Sequence, residues 1–316
     1  MHRIAVLDDY QSAAAGFADW SLVPGPVDVV EFADHLADED ALVDRLTPFE
    51  VVVAMRERTP FPRTLLERLP HLRLLVTTGR RNASIDVAAA AERGITVCGT
   101  GSHAAGPVEL TWALILAVTR QVPLEDASVR AGGWQETVGT DLAGATLGVL
   151  GLGRLGERVA RIGQAFDMDV VAWSQNLTGQ RAAEVGVRLV DRDELFATAD
   201  VLTVHLVLSD RTRGLVGRDE LERMKPSAIL VNTSRGPIVD EAALLDALSS
   251  SRIAGAGLDV FDTEPLAPDH PLRSAPRTVL TPHLGYVTEK TYEIFFREAV
   301  EDVAAFLAGS PIRVLT

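Results

Sequence analysis

Short apolar runs alternate with amphipathic stretches along the N-terminal third of the chain. The runs are rich in branched side chains, which is typical of strands buried on both faces. They lie at residues 4–7, 27–30, 51–54, 72–76 and 95–98. Stretches with helical periodicity, such as LADEDALVDRL and ASIDVAAAAERG, stand between them. This alternation predicts a parallel sheet that is covered by helices on both faces.

A second series of apolar runs follows later in the chain. These runs lie at residues 146–150, 170–173, 201–205, 228–232, 255–260 and 278–281. They again alternate with stretches of helical periodicity. The pattern therefore predicts two α/β units in one chain, each a doubly wound parallel sheet.

The first run of the second series opens into a glycine-rich turn, VLGLGRLG. Gly151, Gly153 and Gly156 have the spacing G-x-G-x-x-G, with Arg154 and Leu155 between the last two. In a nucleotide-binding turn the first glycine makes the tight turn, the second lets the backbone approach a pyrophosphate, and the third lets helix pack on strand. The sequence ERVARIGQAF then predicts a helix whose N-terminus offers N–H donors to the phosphates. This strand, turn and helix together predict a dinucleotide site.

The place of this turn in the chain predicts the domain order. Because the turn belongs to the first strand of its own sheet, the dinucleotide-binding domain should begin near residue 105. The segment GPVELTWALILAVTRQV, with Pro107 placed for the first helical turn, predicts a helix that crosses between the domains. After His283 the run VTEKTYEIFFREAVEDVAAFLAG predicts one long helix that returns to the first domain. We therefore expect a substrate domain at residues 1–104 plus 284–316 and a dinucleotide-binding domain at residues 105–283.

Composition and charge exclude several classes of function. The 316 residues are 47% hydrophobic, which suffices for two ordinary cores. No apolar run reaches membrane-spanning length and MHRIAVLDDY predicts a strand rather than a signal peptide, so we expect a cytoplasmic protein without a membrane partner. The net charge of −14 argues against a nucleic-acid binder.

Cys98 is the single cysteine, which excludes an internal disulfide and a multi-cysteine metal cluster, and no metal is expected. Because the chain ends soon after its last predicted helix, we expect no appended regulatory domain.

Three residues downstream of the glycine-rich turn have the chemistry for carbonyl reduction. Arg235, Glu264 and His283 each lie near the carboxyl end of a predicted strand, where doubly wound sheets bind ligands. Histidine titrates near neutral pH and can give a proton to the alkoxide that a hydride transfer leaves. A carboxylate beside the imidazole favours its charged form. The arginine fork can hold a substrate carboxylate and polarise the adjacent carbonyl. Together they predict reduction of a 2-oxo acid.

Each of these residues also has a purely structural interpretation. Arg235 could be a loop arginine paired with a nearby carboxylate, Glu264 a turn residue, and His283 a polar residue satisfied by its neighbours. Taken singly, the structural interpretation is favoured, because single motif matches have a high false-positive rate. Taken together behind a nucleotide-binding turn, the three favour catalysis.

At this point the chain resembles the D-2-hydroxyacid dehydrogenase family over almost its whole length. Besides GLGRLG, the segments HLVLSDRTRGLVG, MKPSAILVNTSRGPIVDE, GLDVFDTEPL and TPHLGYVT are similar to that family's signatures and stand in the same order. The resemblance implies a Rossmann NAD(P)-binding domain inserted into a discontinuous, flavodoxin-like substrate domain. It implies an NAD(P)-dependent oxidoreductase that interconverts a D-2-hydroxy acid and its 2-oxo acid. A non-catalytic, nucleotide-sensing binding protein similar to a corepressor is the alternative.

The resemblance also implies roles for further residues. Asp259 would hydrogen-bond the nicotinamide carboxamide, although it could also be a turn residue before Glu264. Thr233 and Leu206 would line the cofactor channel. A homodimer is implied, with the crossover helix and the segment around residues 132–134 at the subunit contact. The role of Tyr286, which would shape the pocket or pack at the domain boundary, stays open.

The predicted ribose site departs from the NAD-specific pattern. Such members have an acidic residue at the end of the second strand of this sheet. Here the segment is VVAWSQN, so Ser174 occupies that position and Gln175 follows it. Without a carboxylate to repel a 2′-phosphate, we expect use of NADP or of both cofactors, although the next basic residue, Arg181, is several residues away.

The predicted substrate loop departs from the family pattern as well. In TTGRRNASID the first glycine, Gly79, is kept, whereas Arg80 and Arg81 replace small residues. Arg56 and Arg58 end the third strand in AMRERTPF. We expect Arg56, Gly79 and Arg80 to contact substrate, and Arg58 and Arg81 to be solvated loop charges. In so acidic a protein the cluster predicts a second anionic group on the substrate. Phosphoglycerate-like, dicarboxylic, and glyoxylate or hydroxypyruvate substrates remain open.

Overall fold

The chain forms two compact units in the computed structural model, which describes residues 1–315. Met1–His103 together with Thr288–Thr316 form one unit, and Ala104–Val287 form the other. The first division falls one residue before the expected boundary at 104/105, and the second falls four residues after the expected boundary at 283/284. One unit is therefore discontinuous in sequence.

Strands and helices alternate along both units. Within residues 1–315 the strands are β1 (His2–Val6), β2 (Val27–Glu31), β3 (Val51–Ala54), β4 (Leu74–Thr77), β5 (Thr96–Gly99), β6 (Thr146–Leu150), β7 (Asp169–Trp173), β8 (Arg188–Leu189), β9 (Val201–Val204), β10 (Ile229–Asn232), β11 (Gly255–Leu258) and β12 (Thr278–Leu280). The helices are α1 (Ala14–Phe17), α2 (Glu39–Leu46), α3 (Arg63–Leu66), α4 (Val87–Glu92), α5 (Ala105–Thr119), α6 (Val122–Arg130), α7 (Arg154–Ala165), α8 (Gly179–Glu184), α9 (Arg192–Thr198), α10 (Arg218–Arg223), α11 (Glu241–Ser249) and α12 (Glu289–Leu307). Short 3₁₀ turns lie at Trp20–Leu22, Gly236–Ile238 and Pro271–Ser274.

The discontinuous unit is built on a parallel sheet with the strand order β2-β1-β3-β4-β5. This is a flavodoxin-like doubly wound order, which reverses direction between β1 and β3. Every residue of β3 and β4 is buried, as expected of strands covered on both faces. At the sheet edge, the N–H of Leu315 donates to the carbonyl of Val97 and that of Gly99 donates to the carbonyl of Arg313. The C-terminal segment therefore pairs with β5.

The Ala104–Val287 unit is built on a larger parallel sheet with the strand order β12-β11-β10-β9-β6-β7-β8. The order reverses between β6 and β9, as in a Rossmann fold. The edge strand β8 is missed by the hydrophobic pattern, because it has two residues and both are exposed. The two doubly wound parallel sheets confirm the predicted fold class.

Both long helices predicted from the sequence are present. Helix α5 begins at Ala105, with Pro107 in its first turn, and ends at Thr119. The run after His283 is a single helix, α12, which buries Phe295, Phe296 and Val303. Among residues 1–315, no helix is both long and apolar enough to cross a lipid bilayer.

Candidate active site

The glycine-rich turn lies where the strand order of the larger sheet reverses. Gly151 directly follows β6 and has φ +106°, a backbone conformation that favours glycine. A Cβ on Gly151 would lie 2.8 Å from the backbone carbonyl of His205, and a Cβ on Gly156 would lie 2.1 Å from the carbonyl oxygen of Gly151. These two glycines therefore permit close packing of backbone on backbone. Gly153 differs, because a Cβ there would meet no atom within 4 Å.

The open space at Gly153 leaves room for an anion to approach the backbone. Gly153 precedes α7, and no side chain caps the first N–H groups of this helix. Those groups and the positive end of the helix dipole favour an anion. Arg154 is exposed and Leu155 is half-buried at the same turn. The acidic Glu157 in the first turn is paired with basic side chains, one of them Arg161 at 2.6 Å.

The residues after β7 supply neutral polar groups where an adenosine ribose would lie. Ser174 directly follows β7 and is half-buried, and Gln175 is exposed. A hydroxyl and an amide can hydrogen-bond either ribose hydroxyls or a phosphate. Arg181 forms ion pairs with Glu157 and, at 3.2 Å, with Glu184. Any contact of Arg181 with a 2′-phosphate would compete with these pairs.

Leu206 and Thr233 lie at the carboxyl edge of the other half of this sheet. The Cδ2 of Leu206 would be 3.0 Å from a Cβ on Gly151, so this side chain borders the glycine-rich turn. Thr233 directly follows β10, and its Oγ1 lies 2.8 Å from the Oγ1 of Thr111 on α5. Both predicted cofactor residues are half-buried, which leaves part of their surface accessible.

Asp259 is fully buried directly after β11 and bonds to the loop that carries His283. Its Oδ1 accepts hydrogen bonds from the Thr281 hydroxyl at 2.6 Å and the Leu284 N–H at 2.7 Å, and its Oδ2 accepts one from the Gly285 N–H at 2.9 Å. Burial raises the pKa of Asp259 against the effect of these donors. The carboxyl group thus fixes the backbone on both sides of His283, a contact that the sequence does not predict.

His283 and Glu264 form a close hydrogen-bonded pair. The Nδ1 of His283 lies 2.6 Å from Oε2 of Glu264, whose Oε1 accepts the Phe261 N–H at 3.0 Å. Burial raises the pKa of Glu264, but several neighbouring groups together bring the pKa below its usual value. These groups are the hydrogen bond and charge of His283, the Phe261 N–H and the charge of Arg235. The ionised carboxylate can only accept, so Nδ1 donates and Nε2 is the ring nitrogen that can exchange a proton with a ligand.

Local hydrogen bonds fix the backbone at Arg235. The Asn232 side chain accepts the Ser234 N–H at 3.0 Å and donates to the Arg235 carbonyl at 2.9 Å. A Cβ on Gly236 would lie 2.1 Å from the carbonyl carbon of Phe261, so the segment after Arg235 packs directly on the segment that leads to Glu264. The structure therefore brings the three candidate catalytic residues to one edge of one sheet.

The candidate substrate residues follow β3 and β4, which are neighbouring parallel strands of the discontinuous unit. Gly79 has φ +109°, and a Cβ there would lie 1.9 Å from Nη1 of Arg56, whose guanidinium therefore lies directly over this glycine. Nη1 of Arg56 also lies 3.3 Å from the Thr78 carbonyl oxygen, and its Nε lies 3.5 Å from Glu57. Arg56 and Gly79 thus form one local arrangement.

Arg80, Arg58 and Arg81 have different surroundings. Arg80 is exposed and, with Arg313 and Glu298, lines a cavity of about 410 Å³ in the discontinuous unit. Arg58 was expected to be a solvated charge, but it is half-buried, donates to the Asp8 carbonyl at 2.6 Å and lies over the Tyr10 ring. Arg81 is exposed.

Two further residues contact the candidate site: Tyr286, whose role the sequence leaves open, and Thr111, which the sequence does not single out. The Tyr286 ring contacts the His283 ring edge to face, with centroids 5.4 Å apart, and is buried. Thr111 is buried in the middle of an apolar helix, where its hydroxyl has no motif to mark it. Within residues 1–315 no group of three His, Cys, Asp or Glu side chains could hold a metal ion.

Comparison with known proteins shows the family. Residues 112–285 match the model for "D-isomer specific 2-hydroxyacid dehydrogenase, NAD binding domain". The chain is 36% identical over 287 residues to a D-3-phosphoglycerate dehydrogenase of Archaeoglobus fulgidus, covering 90% of this chain and 54% of that protein. It is 42% identical over 255 residues to a glyoxylate reductase of Aeropyrum pernix, covering 78% of this chain and 76% of that one.

A solved structure agrees with these matches. The crystal structure of a phosphoglycerate oxidoreductase from Vibrio cholerae superposes with a TM-score of 0.94 at 40% identity, covering 98% of this chain and 100% of the other. The chain spans about half the length of the Archaeoglobus relative. None of these names supports the alternative of a corepressor-like binding protein. The Rossmann unit is thus an NAD-binding domain, and the chain belongs to the family of D-isomer specific 2-hydroxyacid dehydrogenases.

Proposed function

We propose that the protein is an NAD(P)-dependent oxidoreductase that interconverts a D-2-hydroxy acid and its 2-oxo acid. In this proposal the Ala104–Val287 unit binds the dinucleotide and the discontinuous unit binds substrate. The observation that carries it is the 2.6 Å contact between His283 and Glu264 at the carboxyl edge of a sheet with a nucleotide-binding turn. An imidazole held by a carboxylate in this way is suited to proton transfer at a carbonyl oxygen.

Each of the three candidate catalytic residues has a distinct part in the proposed reaction. A bound nicotinamide would supply or accept the hydride. Nε2 of His283 gives a proton to the substrate oxygen during reduction and takes it back during oxidation. Glu264 keeps Nδ1 protonated and stabilises the charged ring. Arg235 holds the substrate carboxylate in two places and draws charge from the adjacent carbonyl.

The test is a spectrophotometric assay of the purified chain with NADH and NADPH against a panel of 2-oxo acids, including phosphorylated ones. We expect oxidation of reduced nicotinamide with at least one of these acids, and its loss in His283→Asn. A matched control is His270→Asn, because His270 contacts Glu241 at 3.0 Å in the same unit and has no part in the proposed reaction. Tight cofactor binding without turnover on any acid would instead favour the sensing function.

We further propose that the preferred substrate has a second anionic group. The support is that Arg56 and Arg80 follow neighbouring parallel strands in a chain whose net charge is −14. A phosphorylated or dicarboxylic acid should then have a higher kcat/KM than glyoxylate or hydroxypyruvate. Arg80→Ala should remove most of that preference, whereas Arg81→Ala, on the exposed neighbour, should keep it. Equal activity on acids with uncharged tails would contradict the proposal.

For the cofactor we propose NADP or dual use. Ser174 and Gln175 leave the end of β7 without a carboxylate, so a 2′-phosphate meets no repulsion there. Wild-type kcat/KM with NADPH should equal or exceed that with NADH. Ser174→Asp should shift the preference to NADH, because the added carboxylate accepts hydrogen bonds from ribose hydroxyls and repels a phosphate. A strong NADH preference of the wild type would refute this.

We propose a homodimer formed through α5, α6 and the segment that follows them. The support is a set of exposed apolar side chains in that region of residues 1–315: Leu116, Val122, Leu124, Val129, Trp134 and Val138. Several exposed apolar side chains within one stretch of the chain are the kind of surface that a subunit contact covers. Light scattering after size exclusion should give twice the chain mass, and Leu124→Glu should give the monomer. Leu22→Glu, at an exposed leucine of the other unit, is the control.

We also propose that the protein is located in the cytoplasm, which cell fractionation can test.

A further inference from the structure

Arg56, a candidate substrate residue, has a backbone conformation that residues other than glycine rarely adopt. Its φ is +52°, in the left-handed region, two residues after the end of β3. Such a residue keeps this conformation only where its surroundings over-determine it, and residues of this kind cluster at functional sites. The contacts that hold the Arg56 backbone are therefore candidates for a functional role.

Side chains from the loop after β4 hold both polar groups of the Arg56 backbone. The Arg56 N–H donates to Oγ1 of Thr78 at 2.9 Å. The Arg56 carbonyl oxygen accepts a hydrogen bond from Nδ2 of Asn82 at 2.6 Å. Thr78 and Asn82 are both buried. Because the two contacts span 22 and 26 residues of sequence, they fix Arg56 against a neighbouring loop and not within its own turn.

The orientation of the Asn82 amide follows from its partners. Its Oδ1 accepts the Ser84 N–H at 2.9 Å, and its Nδ2 also lies 2.9 Å from the Thr77 hydroxyl oxygen. A backbone N–H can only donate and a carbonyl oxygen can only accept, so turning the amide over would lose both backbone contacts. Asn82 therefore serves Arg56 as a hydrogen-bond donor.

The loop that holds the Arg56 backbone also lies under the Arg56 side chain. Nη1 would be 1.9 Å from a Cβ on Gly79, and it lies 3.3 Å from the Thr78 carbonyl oxygen. A similar contact occurs at Arg235, whose carbonyl oxygen accepts a hydrogen bond from the Asn232 side chain at 2.9 Å. Both arginines that we assign to the substrate are thus held at the backbone by an asparagine amide.

We propose that Asn82 and Thr78 are positioning residues for substrate binding, and that they act through Arg56. By holding its backbone in the left-handed conformation, they keep the guanidinium over Gly79, where it meets a carboxylate or phosphate of the 2-oxo acid. The guanidinium is then ordered before the acid binds, so that less conformational entropy is lost on binding. The inference rests on the proposed function, because it requires a 2-oxo acid bound at this loop.

The experiment is a set of double-mutant cycles with Arg56→Ala, read as KM and kcat at saturating cofactor with the best 2-oxo acid of the panel. Arg56→Ala should raise KM at least about tenfold, the effect of one hydrogen bond to a charged group, and should change kcat less. Asn82→Ala and Thr78→Val should each raise KM about fivefold, the effect of one neutral hydrogen bond. In the Arg56→Ala background the same two substitutions should change KM by less than about twofold.

This loss of effect separates positioning through Arg56 from a general disturbance of the loop, which would raise KM in both backgrounds. Thr78→Ser is the matched control, because it keeps the hydroxyl that accepts the Arg56 N–H and should keep the wild-type KM. Thermal unfolding of each variant shows which of them are folded.

The outcomes distinguish this inference from the proposed function. If the wild type oxidises reduced nicotinamide with none of the acids, both are overturned. If the wild type is active but Arg56→Ala keeps its KM, or Asn82→Ala and Thr78→Val raise KM equally in both backgrounds, the inference is overturned and the function stands. If Asn82→Ala does not fold, the Thr78 variants decide, because an equal rise in KM for serine and valine contradicts the role of the hydroxyl.

Discussion

Replacing Gly153 by alanine should weaken cofactor binding without unfolding the protein. The backbone at Gly153 has φ −89°, which alanine adopts without strain, and a Cβ there meets nothing within 4 Å. Gly156→Ala should instead destabilise the fold, because its Cβ would lie 2.1 Å from the Gly151 carbonyl oxygen. The added methyl group is the same in both variants, and only its surroundings differ.

The size of the effect follows from the contacts that the methyl group would block. Gly153 precedes the uncapped N–H groups of α7, and a Cβ would keep a pyrophosphate from approaching them. Loss of one hydrogen bond to a charged group costs about 1.5–3 kcal/mol, which raises Kd about 10- to 150-fold. The change in folding free energy should stay within about 1 kcal/mol, because alanine is only a poorer N-cap than glycine.

The assay is a fluorescence titration with NADH and NADPH, combined with thermal unfolding of each variant. Gly179→Ala is the matched control, because Gly179 is an exposed glycine at the start of α8 whose Cβ also meets nothing within 4 Å. It should keep both affinity and stability. Wild-type affinity in Gly153→Ala would refute the argument that the open space at this glycine receives the pyrophosphate.

Three further predictions concern the catalytic pair, the substrate loop and pH. Glu264→Gln should lower kcat about 10- to 100-fold and leave the circular dichroism spectrum unchanged. The amide keeps the contact to His283 but loses the charge that stabilises the protonated imidazole ring. Undiminished turnover would contradict this role. Gly79→Ala should raise KM for the 2-oxo acid more than it lowers kcat in steady-state assays, because the added Cβ would lie 1.9 Å from Nη1 of Arg56. An unchanged KM would argue against a substrate role for this loop. Burial raises the pKa of Asp302 from 3.8 to about 7, so the native state keeps a proton there that the unfolded chain loses, and stability should fall as pH rises through that window. In urea unfolding the stability of Asp302→Asn relative to the wild type should therefore increase between about pH 4 and pH 7, and parallel pH profiles would disprove the shift.

Local features of the sequence predict much of this fold. The runs at 51–54 and 146–150 match β3 and β6 residue for residue, because short branched runs between amphipathic stretches leave few alternatives to buried parallel strands. The glycine spacing places Gly151, Gly153 and Gly156 at one turn, since strand, turn and helix are continuous in sequence. The edge strand β8 escapes prediction, because two exposed residues have no hydrophobic pattern.

The predicted strands also run one or two residues too far at some carboxyl ends. The run at 255–260 is strand only to Leu258, and beyond it Asp259 turns away to bond the loop around His283. Apolar residues continue past the strand end because they are buried in the surrounding core. At such positions the hydrophobic pattern therefore predicts which residues are buried, but it does not predict where the backbone hydrogen bonds between neighbouring strands end.

What the sequence alone determined is which residue types stand at which strand ends, and hence the kind of chemistry available at the sheet edge. Only the tertiary structure decided which of them touch. The contact of His283 with Glu264 spans 19 residues, that of Asp259 with Gly285 spans 26, and that of Thr111 with Thr233 spans 122. The pairing of β11 with β12 and the packing of α5 against β10 bring these side chains together, so local pattern has no access to such pairs.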